Sequence, residues 1–132
     1  MNLLLDTHIW IWSHLAPEKI SSEVNGFLAA PENELWLSPV SIWELVVLLE
    51  KKRVELKMNL HDWVEQSKRE LFLREAPLSW EVADELCFTI LQQEDPADRF
   101  LAATAKVYGL TLVTADERLV KVPGLSVLQN HC

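Results

Sequence analysis

Four carboxylates in this chain stand where a parallel-sheet fold would gather them. Asp6 closes the apolar run Asn2-Leu3-Leu4-Leu5, and Glu44 lies inside Ser41-Ile42-Trp43-Glu44-Leu45. Asp98 belongs to Asp95-Pro96-Ala97-Asp98-Arg99, and Asp116 follows Leu112-Val113-Thr114 almost at once. Like charges held within a few ångströms repel one another, so either some of them protonate or a divalent cation neutralises them. Hard oxygen donors select Mg2+ or Mn2+, ions whose biological chemistry is largely with phosphates. The expectation is a metal-dependent phosphodiesterase.

The elements needed to position these acids can be read from the alternation of apolar runs and amphipathic helical patterns, the signature of an α/β fold. Residues 2 to 5 form a first strand too apolar for a sheet edge, hence central. After Pro17, the spacing of Ile20, Val24, Phe27 and Leu28 predicts a helix closed by Pro31 and Asn33. Leu35-Trp36-Leu37 makes a second strand. Ser38-Pro39 is an N-cap with proline at the first helical position, and Ile42, Leu45, Val46 and Leu49 form the buried stripe of a helix reaching about Lys52. Asn59 caps a helix carrying Leu60, Trp63 and Val64, which leads to a strand over residues 71 to 75. Ser79 caps another helix, with Ala83, Leu86 and Ile90 on its face. Asp95-Pro96 opens the next, which runs through Phe100, Leu101, Thr104 and Ala105 to Gly109, a residue suited to a left-handed C′ position. Thr111-Leu112-Val113 and Leu125 to Leu128 are the last strands. Helical crossovers place the C-terminal ends of parallel strands on one rim, where open α/β sheets bind ligands. Asp6 and Asp116 follow strands onto that rim, and Glu44 and Asp98 lie in the first two turns of helices that start from it.

Each acid also has a plainer role. Asp6 can cap a helix beginning near His8, Glu44 can occupy a solvated stripe, and Asp116 can start a turn. Asp95 is read mainly as a cap, and Asp98 as the acid of that pair that points into the site. No G-x-G-x-x-G or P-loop motif occurs, and the four histidines lack zinc-like spacing. A haloacid-dehalogenase-type phosphatase would want a second aspartate two residues after Asp6, where His8 stands. A receiver-like signalling domain would want paired acids at the first strand and a lysine after a late one.

The chain's 132 residues fit one domain, 1–132, able to bury about two-thirds of its unfolded surface. Cys87, within an apolar helical pattern, reads as a reduced core residue and Cys132 as a tail residue, which suggests the cytoplasm. No stretch approaches the roughly 18 apolar residues of a membrane span. Six tryptophans serve the core or a protein interface. The net charge of −8 counts against tight binding of long nucleic acid, although two divalent cations would cancel about four of those charges where phosphate must approach. A basic partner is the other way to offset it.

Taken in order, these motifs resemble the PIN-domain ribonucleases, and within them the VapC-type toxins of bacterial toxin–antitoxin (VapBC) pairs. The carriers are Leu3-Leu4-Leu5-Asp6-Thr7, Ser38-Pro39-Val40-Ser41-Ile42-Trp43-Glu44-Leu45, Asp95 through Ala105, and Leu112-Val113-Thr114-Ala115-Asp116. The resemblance covers nearly the whole chain. It implies a three-layer α/β/α fold around a twisted parallel sheet of about five strands. It also implies that Asp6, Glu44, Asp98 and Asp116 are the acidic quartet that holds Mg2+ or Mn2+ for RNA hydrolysis. Thr7 and Thr114 would be nearby hydroxyls that orient ligands or water, with Asp95 and Arg99 as supporting positions in the third motif. The implied partners are RNA, a small VapB-like antitoxin whose C-terminal segment crosses the site, and a second copy in a homodimer. Exposed tryptophans and leucines of the early helices are the candidates for the homodimer contact.

Overall fold

A computed structural model describes residues 1–89 and 95–131. Its centre is a five-stranded sheet in the order β3 (Arg74–Glu75), β2 (Glu34–Leu37), β1 (Asn2–Leu5), β4 (Thr111–Thr114), β5 (Val127–Gln129), with every neighbouring pair parallel. β1 lies between β2 and β4, pairing Leu3 with Leu35 on one side and with Thr111 on the other. That position explains its composition. Leu3, Leu4 and Leu5 are fully buried because both faces of a central strand are covered. Successive side chains point to opposite faces, so Leu3 and Leu5 join one core cluster and Leu4 joins the other.

The first cluster packs under α1 (Thr7–Leu15), α2 (Ser22–Ala29), α3 (Pro39–Glu50) and α4 (Leu60–Glu70), through Ile9, Trp10, Val24, Leu45 and Trp63. The second packs under α6 (Pro96–Tyr108) and α7 (Glu117–Val120), through Leu101, Ala105 and Leu119. The result is the expected α/β/α sandwich. Truncating any of the three β1 leucines to alanine would cost about 2–5 kcal/mol.

The helix starts follow local chemistry. Ser38 accepts from the Val40 N–H at 3.0 Å with Pro39 at the first helical position, Asn59 accepts from Asp62 N–H at 2.9 Å, and Ser79 caps α5 (Trp80–Glu85) through Val82 N–H at 3.3 Å. Gly109 ends α6 at φ +65°, the left-handed conformation that favours glycine.

Several expectations need correction. The third strand, β3, is only Arg74–Glu75 rather than residues 71 to 75, because the chain leaves α4 through Phe72 at φ +51° and becomes extended only after it. β5 is Val127–Gln129, since Leu125 is still held in a turn by its N–H bond to the Val122 carbonyl. Pro17–Lys19 forms a single 3-10 turn, and α2 begins only after Ser21. Cys87 is exposed, not core, because α5 gives way at Leu86 to a 3-10 turn that carries the thiol outward. Ile90, assigned to the same helical face, and the tail residue Cys132 lie outside the described residues. Of the early apolar residues offered for a homodimer contact, Trp10 is fully buried and Trp12 half-buried, while Leu15 at the end of α1 is exposed, as are Trp43 on α3 and Trp80 on α5. Among the described residues, no helix is long and apolar enough to cross a membrane.

Candidate active site at the sheet switch point

The chain runs outward from β1 to β2 and β3, then returns to lay β4 and β5 on the other side of β1. The strand order therefore reverses between β1 and β4, opening a crevice at the C-terminal ends of those two strands. Asp6 follows β1 and Asp116 follows β4, so both acids flank this switch point. α3 and α6 each present a carboxylate to it from near their N-termini, Glu44 and Asp98.

Asp6 is nearly buried and is held from two directions. Its Oδ1 accepts from the Thr7 N–H at 2.7 Å, which caps α1, and its Oδ2 accepts from the Thr114 hydroxyl at 2.6 Å. The same Thr114 Oγ1 accepts from the Asp116 N–H at 3.0 Å, so one fully buried threonine ties together the acids after β1 and β4. Glu44 is half-buried. The Thr7 hydroxyl donates to its Oε1 and also meets the Ser41 hydroxyl at 2.9 Å. A threonine has one hydroxyl proton, so Ser41 supplies the proton of that second contact. Asp95 caps α6 by accepting from Ala97 N–H at 3.0 Å, which is the role expected of it.

The acids of the group act on one another electrostatically. Burial pushes the Asp98 carboxyl up to about 7, and the charges of Asp6, Asp95, Asp116 and Glu44 push in the same direction. Asp6 is raised mainly by burial, against the lowering effects of the Thr114 bond, His8 and the Thr7 N–H, with Asp116 adding to the rise. Glu44 is raised by burial and by Asp6 and Asp95, with the Thr7 bond opposing. Five carboxylates thus share one field. Among the described residues, however, no three His, Cys, Asp or Glu side chains stand in a ready-made ligating group. The arrangement is a cluster of anions rather than a closed coordination cage.

Two residues outside the sequence reading complete this surrounding. Ser41 supports Thr7, and its signal was its place three residues before Glu44, on the same helical face. Arg118 forks onto Asp116, with Nε at 3.0 Å from Oδ1 and Nη2 at 2.9 Å from Oδ2. Arg99 is placed otherwise than its motif suggested. Its Nη2 donates to the Leu86 carbonyl at 3.1 Å, because one residue beyond Asp98 the helix has turned about 100°.

The geometry can be set beside known proteins. A PIN-domain profile matches residues 3–125. Ribonuclease VapC22 of Mycobacterium tuberculosis is 30% identical over 118 residues, covering 89% of this chain and 88% of that protein. Among solved structures, VapBC2 from Rickettsia felis, bound to a DNA fragment from its promoter, matches with a TM-score of 0.69 and 20% identity over 98% of this chain and 99% of that one. FitAcB from Neisseria gonorrhoeae matches with a TM-score of 0.65 and 26% identity over 96% of each chain. The sequence match runs from β1 through the last turn before β5 and takes in every acid at the switch point, and on that ground the chain belongs to the PIN-domain family.

Proposed function

We propose that this chain is a metal-dependent endoribonuclease and the toxin half of a toxin–antitoxin pair. The observation that carries the reading is the charge-coupled group of Asp6, Glu44, Asp95, Asp98 and Asp116 at the switch point, where Asp98 is pushed to about 7. So many anions in a partly buried crevice raise one another's proton affinity, and a cation is the economical way to keep them ionised. The donor set consists of carboxylate oxygens, which suits Mg2+ or Mn2+. Asp6, Asp98 and Asp116 are the residues that would hold it, with Glu44 as a further ligand or as the base that orients water. When bound, such a cation supplies Lewis acidity toward water and toward the oxygens of a phosphodiester.

The chain's own residues set the rest of the chemistry. Thr7 N–H and Thr114 Oγ1 fix both oxygens of Asp6, so this carboxylate is oriented before any ligand arrives. Thr7 likewise fixes Glu44 Oε1, which leaves Oε2 to accept the proton of a water molecule approaching phosphorus. Asp98, raised to about 7 by burial and its acidic neighbours, would have to give up its proton before its carboxylate could serve as a ligand. The relative from Mycobacterium tuberculosis is named as a ribonuclease, and the solved neighbours are toxin–antitoxin complexes, which supports RNA as the substrate class and a VapB-like antitoxin as partner. A net charge of −8 suits a basic partner segment laid over the acidic rim. A homodimer and a cytoplasmic location belong to the same reading.

Incubating cellular RNA with the purified chain in Mg2+ and in EDTA tests it. Cleavage in Mg2+ that is lost in EDTA and in Asp6→Asn and Asp98→Asn is the expected outcome. Equal cleavage in the two buffers would refute metal dependence, and sequencing the cleaved ends would identify the target RNA.

A further inference from the structure

Asp116 does more than cap α7. Its Oδ1 accepts from the Arg118 N–H at 3.0 Å and from Arg118 Nε at 3.0 Å, and its Oδ2 accepts from Arg118 Nη2 at 2.9 Å. A carboxylate offers roughly four lone-pair directions, so Arg118 alone occupies three of those of Asp116. A cation approaching Asp116 meets a competitor already seated there.

We propose that Arg118 is a tethered counter-cation, holding Asp116 in the cation-free protein and releasing at least part of its fork when a divalent ion takes that carboxylate. The inference rests on the metal-site reading above and adds a residue that reading does not use. Four features favour it. The fork closes over a single intervening residue, so it forms with little loss of chain entropy and re-forms readily. The Arg118 side chain is 60% exposed, which keeps the pair weak enough to yield. Arginine also stays charged at every working pH, so its compensation of the cluster does not fade as the acids ionise. Asp98 and Asp95 act on Arg118 as well as Asp116 does, which places the guanidinium in the field of the whole cluster rather than of one partner.

Titration of Mn2+ into the whole chain, followed by the electron paramagnetic resonance of the free ion in about 0.1 M salt, separates this role from a structural one. In Arg118→Gln the competitor and its repulsion are gone, and Mn2+ should bind roughly three- to tenfold more tightly than in the wild type. Arg118→Lys, which keeps the charge but loses the fork, should fall between the two. Raising salt to about 0.5 M should narrow the gap by screening the fork in the wild type. Equal or weaker binding by Arg118→Gln would overturn the inference, as expected of an arginine that merely orders Asp116. Should that variant fail to fold, Arg118→Lys decides: tighter binding than wild type supports the role, and equal or weaker binding ends it. A wild type that binds no Mn2+ would instead sink the metal-site reading and this inference with it.

Discussion

Removing the charge of Asp98 should stabilise the metal-free protein while destroying its activity. Burial and four neighbouring carboxylates lift this carboxyl from 3.8 to about 7. That is roughly three decades of proton affinity, at most about 4 kcal/mol at about 1.4 kcal/mol per decade. Asp98 is only partly buried, and solvent screening reduces the usable part to about 1–2 kcal/mol. The sign follows from linkage. A carboxyl whose folded pKa lies above its unfolded value contributes its full stability below pH about 4, and loses it as the pH rises through about 7. In EDTA at about pH 8 the wild type therefore carries a penalty that Asp98→Asn lacks. At roughly 4 °C per kcal/mol for a domain of this size, the variant should melt about 4–8 °C higher. The gap should shrink at about pH 5, where wild-type Asp98 is protonated, and should also shrink when Mg2+ is added to the wild type. Differential scanning calorimetry in EDTA at the two pH values reads it directly. A variant no more stable than wild type at high pH, or a gap that ignores pH, would refute the electrostatic argument.

Thr114→Val removes the donor to Asp6 and the acceptor for the Asp116 N–H, so it should cost about 1–3 kcal/mol in urea denaturation and weaken Mn2+ binding more than a core change of equal cost. Ser67→Ala leaves the buried Trp10 Nε1 without its 2.8 Å acceptor and takes the partner of His14 Nε2, costing about 1–3 kcal/mol in the same assay. His14 itself is lowered by burial, with Glu70 opposing, so its contribution is full above pH about 6.5 and is lost as the pH falls through its folded value. In saturating Mg2+, acid should thus lower the wild-type denaturation midpoint more than that of His14→Gln.

What could be read from the residues was whatever a local rule dictates. Leu3-Leu4-Leu5 is apolar at every position, which only a central strand of a covered sheet permits, and Ser38-Pro39, Asp95-Pro96 and Gly109 mark helix ends by their own chemistry. The rim position of the acids followed because parallel strands end on the same side. The strand after α4 was harder, since its length depends on Phe72 adopting a left-handed turn that its side chain does not announce. Cys87 looked like core because helical periodicity was extended past the point where α5 becomes a 3-10 turn. The means by which the acids are held were hidden for a different reason. Thr7 to Glu44 and Thr114 to Asp6 join residues 37 and 108 positions apart, and such pairs exist only once the sheet has formed. Arg118 lay close to Asp116 in sequence, yet its fork depends on the tight turn that opens α7.

The central claim is that the switch-point carboxylates share a divalent cation. Crystals soaked in Mn2+ at about pH 8 would show it through anomalous scattering. The account predicts a peak within about 2.5 Å of an Asp6 oxygen and of at least one oxygen from Asp98, Asp116 or Glu44. A soaked crystal with manganese bound elsewhere and none beside Asp6 would contradict it.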